Sequence, residues 1–537
     1  MRLWKYLGIM LLFAGCDVQT SVQRANNERI LIVGNNTEPQ SFDPHIASSV
    51  SDFKIINATM EGLVRGDSKD DAKYYPGVAE KWERDATAKN WTFYLRKNLE
   101  WSDGTPLTAQ DFEYAYRRLL HPEFGGRYAD MLYPIEGAEA YNKGQSKELG
   151  ICAKDKHTLE IRLHSPMPHL PLLLLHPTWF PVPRHAVEAH GGMLCRTGQW
   201  TRPGNAVSNG PFVLTKHRFN DCVEVRKNPR YRNAAKVWLE GVRFLPTVNG
   251  FTETRMFFND KVHITNNVPP EMTAYAKEKA GDAFCQDDYY VTIFYRLNTT
   301  RKALKDWRVR QALSMAIDRE TLVRDVVCGG GQACFGFTPS GAGYQTPHMV
   351  TFDPVKAREL LAEAGYAHGK NFPVLELMTT SREVQKTMAE AIQGMWKKHL
   401  GIHVEIRSCE WTAYKFAQNT MNYDFSSSSW SGDYLDPSSF LDLWGAASGN
   451  NNTGWSHPEY ERLLQAVRAT GDQTQRMQLL AQAESLMLSE APVIPLYWAK
   501  RSYLKRAEVS GWYPLLLDNH LFEDIRLDNK EYGKEVK

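Results

Sequence analysis

The stretch DPVKARELLAEAG (Asp353–Gly365), followed by VLEL (Val374–Leu377) and EVQKTMAEAIQGMWKKHLGIHVEI (Glu383–Ile406), decides the fold class. The leading Asp-Pro pair is typical of a helix start, and the glycine that closes the first segment is typical of a helix end. The third segment contains a longer helix ending at Gly401, after which apolar residues alternate as in a strand. This order predicts an α/β fold with a largely parallel sheet.

The rest of the chain continues the alternation of strands and helices. Arg29–Val33 is expected to be a buried strand, and Thr108 begins a helix with an aspartate three residues later, as in a capping box. Two further helices are predicted over Glu459–Ala469 and Gln473–Leu488, followed by a strand over Val493–Tyr497. Because no Pro/Ser-rich linker interrupts the chain, we expect bodies joined by shared strands.

Composition excludes several classes of protein. The chain has 537 residues, of which 42% are hydrophobic and 23% are charged. These values are ordinary for globular proteins and argue against a disordered chain or a many-span membrane protein. The 64 basic and 62 acidic residues give a formal charge of only +2, so the basic excess that drives nucleic-acid binding is missing.

The N-terminus has the layout of a secretory signal. Cationic residues within Met1–Leu7 precede a short apolar run, Gly8–Phe13, and small residues follow before Cys16. The run is about half as long as the roughly 20 residues that a membrane-spanning helix requires. The segment resembles a bacterial lipoprotein signal. That resemblance implies a signal peptide over residues 1–15 and an exported protein, periplasmic or in the cell envelope, that is anchored by a lipid on Cys16.

The cysteines give no sign of a metal. The chain has eight of them, without a CxxC pair or a Cys/His cluster at zinc spacing, so no structural metal is expected. Cys328 and Cys334 flank a Gly-rich turn and are a candidate disulfide in an oxidising compartment. The other cysteines are expected to be small buried hydrophobic residues. No motif indicates a cofactor.

Catalytic signatures are also missing from the sequence. It contains no G-x-S-x-G elbow, no H-E-x-x-H helix, no Walker loop and no Rossmann glycine pattern. His185, Glu188 and His190 are expected at an exposed helix end, because the two histidines are five residues apart and not four. Asp70–Asp71 and Asp287–Asp288 are expected to be solvated surface. Nothing positive therefore indicates an enzyme.

Eight phrases occur in a fixed order along the chain. They are TEPQSFDP (37–44), EGLV (61–64), PGVAEKWE (76–83), WTFYLRKNLEWSDGTPLTAQDFEYAYRRLL (91–120), NGPFVL (209–214), RKNPRYR (226–232), DWRVRQALSMAIDRE (306–320) and SWSGDYLDPSSF (429–440). Together they resemble the oligopeptide-binding proteins of ABC importers, the large peptide and nickel class of extracytoplasmic solute-binding proteins. The resemblance spans about residues 30–505, nearly the whole mature chain.

The resemblance implies a two-lobed periplasmic-binding-protein fold of class II type that closes on its ligand about a hinge. The implied division is a signal peptide (1–15), lobe I (16–62, 191–285 and 491–537) with an extra subdomain (63–190), and lobe II (286–490). The chain would cross between lobes near residues 283–297 and 488–496. The implied function is to capture short peptides and deliver them to an ABC permease and its ATPase, as a monomer and without covalent chemistry.

The resemblance also implies a binding site between the lobes. Asp433 matches the family position that meets the α-ammonium of a peptide, a charge that is costly to bury unless a carboxylate faces it. Trp430 and Tyr434 would line the same cleft, since aromatic walls give contact area without strict selection of side chains. Four further positions are carried over in the same way, and these are Glu38, Tyr128, Tyr497 and Trp498.

One departure from the family concerns the ligand carboxylate. Two arginine positions that receive peptide carboxyl termini hold Gln418 and Ser427, and a histidine position holds Gln385. Lys415, Arg407 and Arg382 are nearby cations that could substitute. The length and terminal chemistry of the ligand are therefore open. Two alternatives also stay open: the same fold with a non-peptide cargo such as a metal chelate, sugar or haem, and an exported hydrolase or adhesin.

Overall fold

The computed structural model describes residues 19–328, 330–446 and 448–528. Within these residues no helix is both long and apolar enough to span a membrane. The predicted signal peptide and Cys16 lie outside the described residues.

The described strands are β1 (Ile30–Gly34), β2 (Val64–Gly66), β3 (Tyr74–Pro76), β4 (Ala79–Arg84), β5 (Asn90–Leu95), β6 (Ile151–Ala153), β7 (Thr158–Arg162), β8 (Phe212–Arg218), β9 (Cys222–Lys227), β10 (Gly241–Leu245), β11 (Phe284–Leu297), β12 (Gly331–Ala333), β13 (Leu375–Thr380), β14 (Val404–Cys409), β15 (Phe425–Ser431), β16 (Val493–Leu504), β17 (Val509–Ser510) and β18 (Arg526–Leu527).

The described α-helices are α1 (Ser21–Asn27), α2 (Val50–Thr59), α3 (Ala109–Leu120), α4 (Ala138–Asn142), α5 (Leu170–Leu173), α6 (Arg184–Ala189), α7 (Gly250–Phe258), α8 (Thr273–Ala280), α9 (Trp307–Met315), α10 (Arg319–Asp325), α11 (Pro354–Glu363), α12 (Glu383–Leu400), α13 (Trp411–Asn419), α14 (Ser438–Leu441), α15 (Pro458–Ala469) and α16 (Gln473–Glu490). Both lists confirm the α/β alternation.

Three larger sheets organise the molecule. Body A contains the sheet β1-β10-β9-β8 with α1, α2, α7 and α8, and body B contains the sheet β4-β5-β7-β6 with α3 to α6. Body C contains the six-stranded sheet β12-β16-β11-β15-β13-β14 with α9 to α16. Separate hydrophobic clusters of buried side chains lie in body A, body B and body C, so each sheet has a core of its own.

Local capping signals set the helix ends as predicted. In α3 the Thr108 amide donates to the Asp111 carboxylate at 2.8 Å, and in α11 Asp353 accepts from the backbone amides of the first turn. Helix α12 ends at Gly401, which has a φ of +71° and closes the helix in the left-handed region. The helix ends read from the sequence are therefore confirmed in these segments.

The prediction of a largely parallel sheet is wrong for body C. Only β15-β13 and β13-β14 pair in parallel, whereas β11-β15, β11-β16 and β12-β16 are antiparallel. Strands β13 and β14, which helix α12 connects and which suggested a parallel sheet, form one side of the body C sheet together with β15. The other side is built from the long strands β11 and β16, which run back past each other.

Strands β11 and β16 connect body A with body C. Their first pairing joins residues 284–288 to 500–504, and Leu504 packs in body A beside Ile30 and Ile32. Their second pairing joins residues 292–296 to 493–498, where Tyr295 and Ile494 lie in the core of body C. Between them the register shifts, so residues 289–291 face the single residue Ala499.

Of the two acidic pairs expected to be solvated surface, Asp71 is the residue that differs, whereas the Asp288 side chain is 66% exposed. The Asp71 carboxylate accepts a hydrogen bond from the Leu517 amide at 2.9 Å, and burial raises the pKa of Asp71 to about 6. The Asp287 carboxylate accepts from the Tyr503 hydroxyl at 2.7 Å. The expectation is wrong for Asp71, because packing of the C-terminal segment covers it.

Candidate functional site

A cavity of about 620 Å³ lies between bodies B and C. Body B contributes Tyr128 and His169, and body C contributes Trp430, Asp433 and Tyr434. A second cavity of about 200 Å³ shares Tyr128 and Asp433 with the first. A third, of about 370 Å³, adjoins the second through Tyr289 and Asp518, which line both. The three cavities form a series along the cleft, which is large enough for an elongated ligand.

Asp433 is a carboxylate without a cation. It follows strand β15, where its amide donates to the Ser439 hydroxyl at 3.1 Å and fixes the turn. Within the described residues, no lysine, arginine or histidine lies within 4.0 Å of its oxygens. Burial, helped by the charge of Asp130, raises the pKa of Asp433 to about 6. The site is therefore electrostatically suited to a cation supplied from outside.

Hydrogen bonds fix the aromatic rings that line the same cavity. The Trp430 indole donates to the Ser439 carbonyl oxygen at 2.7 Å, and the Tyr434 and Ser438 hydroxyls lie 3.2 Å apart. The Tyr434 ring stacks on His169 across the cleft, with ring centroids 6.3 Å apart. The structure thus brings Trp430, Tyr434, Tyr128 and Asp433 together in one cavity, as the sequence predicted for these four positions.

A second aspartate three residues further along has a complete set of partners. Asp436 forms a bidentate pair with Arg476 at 2.6 and 2.7 Å, and Arg476 also approaches His169 of body B at 3.4 Å. Burial opposes ionisation of Asp436, but the Arg476 guanidinium, joined by His169 at the low pH where that imidazole is protonated, keeps the pKa of Asp436 well below its usual range. Burial lowers the pKa of His169 to about 4, so this imidazole is neutral at pH 7. Sequence reasoning missed this contact between bodies B and C.

Tyr497 and Trp498 are neighbours on β16 but point to different surroundings. Tyr497 lines the 370 Å³ cavity. Trp498 donates its indole N–H to the Phe337 carbonyl oxygen at 3.3 Å and packs edge-on against Phe335. Trp498 lines none of the three cavities described above, so the structure places it in the packing of body C.

Glu38 is separated from the cavities. Its carboxylate accepts hydrogen bonds from the His217 ring at 2.6 Å and from the Asn220 amide at 3.0 Å. His217 lies at the end of β8 and Asn220 in the β8–β9 turn of body A, and Glu38 lines none of the three cavities. The structure gives Glu38 a role in shaping the loop that it occupies.

The positions that depart from the family pattern are involved in packing within body C. Gln385, in the first turn of helix α12, accepts from the hydroxyl of Thr380, which precedes the helix, at 2.6 Å. Gln418 donates to the hydroxyls of Ser426 and Ser428. The Ser427 hydroxyl is buried without a hydrogen-bond partner. Of the candidate replacements, Arg407 is already paired with Glu376 at 2.7 Å. Lys415 donates to the Gln418 amide oxygen at 2.9 Å and lies over the Trp411 ring, with no carboxylate paired to it among the described residues.

The structure differs from the candidate disulfide. Cys328 is an exposed thiol and Cys334 is a buried one, and both are free. Cys334 lies beside Arg319 in the packing of body C, where burial raises the pKa of its thiol to about 12. The other described cysteines are free as well, and Cys222 is the one among them that is buried. No group of three or more metal-ligating side chains occurs within the described part of the chain.

Bodies A and C are joined by two crossing strands, and body B faces body C across a polar cavity. This arrangement defines the class of two-lobed solute-binding proteins. Residues 73–452 match the family described as bacterial extracellular solute-binding proteins, family 5. The chain belongs to this family.

Individual relatives cover nearly the whole chain. The periplasmic oligopeptide-binding protein OppA of Salmonella typhimurium is 33% identical over 508 residues, which is 92% of each chain. The probable deoxycholate-binding periplasmic protein YgiS of Escherichia coli is 31% identical over 503 residues, 91% of each chain. The structure of Haemophilus influenzae OppA in complex with RPPGFSPFR superimposes with a TM-score of 0.77, at 28% identity, over 93% of this chain and 99% of that one. The expected two-lobed fold of class II type is confirmed.

Proposed function

We propose that this chain is the substrate-binding component of an ABC importer, which captures short peptides in the cleft and delivers them to a membrane permease and its ATPase. A single observation carries the proposal: Asp433 presents a carboxylate to the cleft with no cation beside it among the described residues. A peptide has an α-ammonium that meets this requirement. The binding role of the named relatives supports the same conclusion, and no covalent step is needed.

The cavity walls support broad selection of peptides. The rings of Trp430, Tyr434 and Tyr128 offer apolar faces that do not discriminate strongly among side chains. A cavity of about 620 Å³ leaves room for water between ligand side chains and these walls. Hydrogen bonding to the ligand backbone, which every peptide shares, would then provide affinity that is independent of sequence.

A non-peptide cargo is the second candidate, because one relative is named a probable deoxycholate-binding protein. Deoxycholate is an anion, and an anion placed beside Asp433 would be repelled. The charge at Asp433 therefore favours a cationic or zwitterionic ligand over a bile acid in this chain.

The decisive test compares free and N-acetylated peptides. The Trp430 indole lies in the cavity, so ligand binding can be followed by tryptophan fluorescence and by calorimetry. Acetylation removes the ammonium and should weaken binding by about a hundredfold or more, and Asp433→Asn should abolish this difference. Asp221→Asn, at an exposed aspartate on the β8–β9 turn, is the matched control and should bind like wild type. Equal binding of free and acetylated peptides by wild type would disprove the proposed role of Asp433.

Three further parts of the proposal concern organisation and location. In this proposal body A belongs to lobe I, body B is its extra subdomain and body C belongs to lobe II. Strands β11 and β16 are the crossing strands between the lobes. The monomeric state is supported by the need for the lobes to move. A lipid on Cys16 would hold the protein in the cell envelope, and Cys16→Ala should release it from membranes and abolish labelling with a fatty acid.

A further inference from the structure

Arg296 is a buried cation without an anion. It lies on β11 in body C with 5% of its surface exposed, and among the described residues no carboxylate lies within 4.0 Å of it. Its Nη1 donates to the Ser428 hydroxyl at 3.2 Å, and its Nη2 donates to the Asn450 carbonyl oxygen at 3.1 Å. Its Nε is buried with no hydrogen-bond partner.

The other buried arginines show how unusual this is. Within the described residues, Arg118, Arg310 and Arg476 are each paired with a carboxylate. Arg319 has no carboxylate, but the carbonyl oxygens of Ser314, Ile317 and Pro495 and the Ser314 hydroxyl accept from all three of its nitrogens. Among these five arginines, Arg296 is the one with a buried side-chain nitrogen that lacks a hydrogen-bond partner within the described residues. A buried unpaired charge is costly unless something completes it.

A second cation and a set of polar groups surround Arg296. The Lys415 ammonium donates to the Gln418 amide oxygen. The Gln418 amide nitrogen donates in turn to the Ser428 hydroxyl, which Arg296 also contacts. Burial, and then the charge of Arg296, lower the pKa of Lys415. Ser427, between Ser426 and Ser428 on β15, pairs with Tyr295 and points to the opposite face of the sheet, so its hydroxyl is not part of this group. Two neighbouring cations are the chemistry of an anion site.

Arg296 lies directly behind the wall of the ligand cavity. Asn450, whose carbonyl oxygen accepts from Nη2, lines the 620 Å³ cavity together with Asp433. Nε and Nη2 form the side of a guanidinium that binds a carboxylate through two parallel hydrogen bonds. On this side of Arg296 one position is occupied by a main-chain carbonyl and the other is unused.

We propose that Arg296, supported by Lys415, binds a carboxylate of the ligand and replaces the arginines that positions 418 and 427 lack. The inference rests on the proposed function. It assigns a binding partner to the end of the ligand opposite the ammonium that Asp433 binds. A ligand carboxylate that enters at Asn450 displaces the Asn450 carbonyl oxygen from Nη2 of Arg296. The same carboxylate accepts a second hydrogen bond from Nε.

The two charges are close enough to serve both ends of a short peptide. Ser428, which contacts Arg296, and Asp433 are five residues apart in the chain, so their Cα atoms lie at most about 17 Å apart. The side chains of Arg296 and Asp433 add to this distance. A short extended peptide can therefore engage both groups with its two termini, whereas a long one would extend past Arg296 and lose this contact.

The test compares peptide acids with their C-terminal amides. For wild type and a tetrapeptide, amidation should weaken binding at least tenfold. Arg296→Met should weaken binding of the acid to the level of the amide and leave the amide unchanged, while Lys415→Met should reduce the same ratio by a smaller factor. An amidated peptide with an internal Glu, compared with its Gln counterpart, tells whether a side-chain carboxylate uses the site instead.

Thermal unfolding separates a binding role from a structural one. Because Arg296 has no carboxylate to leave unpaired, Arg296→Met should melt at or above the wild-type temperature. Arg319→Met, which leaves several buried carbonyl groups without donors, should melt lower and keep the acid-to-amide ratio of wild type.

Different failures have different meanings. Equal affinity of wild type for acid and amide, and for the Glu and Gln peptides, would overturn the Arg296 inference while ammonium-dependent binding kept the proposed function intact. An unchanged acid-to-amide ratio in Arg296→Met would also overturn it. Failure of every peptide to bind would overturn the proposed function, and the inference with it.

Discussion

Asp433 and Asp436 are three residues apart and follow the same strand, near the contact between bodies B and C. The surroundings of the two carboxylates nevertheless shift their pKa values in opposite directions. Asp436 is completed by Arg476, and its pKa is lowered. Among the described residues no cation pairs with the Asp433 carboxylate, and burial raises its pKa to about 6. The difference teaches that a paired carboxylate holds bodies B and C together, whereas the unpaired one beside it is the group to which the proposed function assigns a ligand cation.

Breaking the completed pair should have the largest effect. Arg476→Met leaves Asp436 buried without a cation and should lower the free energy of unfolding by about 3–5 kcal/mol. Urea denaturation at pH 7 measures this. The matched control is Arg462→Gln, which removes an exposed arginine paired with Glu459 and should cost less than about 1 kcal/mol. Equal losses in the two variants would show that the Asp436 pair has no special structural role.

Neutralising the incomplete charge should reverse the sign of the stability effect. An ionised Asp433 with a raised pKa costs stability above pH 6, so Asp433→Asn should stabilise the ligand-free protein at pH 7. The gain should be about 1–2 kcal/mol, after allowance for the partial exposure of the side chain. It should vanish below about pH 4, where the wild-type carboxyl is protonated in both folded and unfolded states. A destabilised Asp433→Asn protein at pH 7 would contradict the comparison.

Peptide affinity should be greatest near pH 7. Binding of an ammonium needs the ionised carboxylate, so affinity should fall by up to about tenfold per unit below pH 6. Above about pH 8 the peptide loses its own α-ammonium proton, so affinity should fall again. Calorimetry between about pH 5 and 7 should show the decline at low pH in wild type and a much weaker decline in Asp433→Asn.

The smallest effect is expected at Glu38, which the cavities exclude. Glu38→Gln can still accept from the Asn220 amide, so it should leave peptide affinity within about twofold of wild type and cost less than about 1 kcal/mol of stability. Calorimetry and thermal unfolding of this variant provide both values. A large loss of peptide affinity would show that Glu38 contributes to ligand binding. Asp433 would then not be the one carboxylate on which peptide affinity depends.

Local features of the fold could be predicted from the sequence, whereas pairing between distant segments could not. The ends of α11 and α12 depend on Asp353, Pro354 and Gly401, which act within one turn. The antiparallel side of the body C sheet depends on β11 meeting strands about 130 and 200 residues away, which no local pattern encodes.

The same limit applies to the site. Asp433 and its neighbouring aromatics could be found because they lie together in one phrase of sequence. Arg476 is 40 residues from Asp436, and Arg296 is 132 residues from Ser428, so their importance emerges only from packing. A signal did exist for Arg296, because it is the one charged residue among the aliphatic and aromatic residues of Ile293–Leu297, in a predicted crossing strand.

The register shift between β11 and β16 has a mechanical consequence. Residues 289–291 have no ladder partners of their own on β16, so the two-stranded connection is already interrupted where it passes from body A to body C. Twisting at this point therefore breaks no ladder pair between β11 and β16. The main-chain hydrogen bonds of Tyr290 run instead to Leu516 and Gly432, so rotation of body A against body C would load these two contacts at the interruption and not the ladder itself.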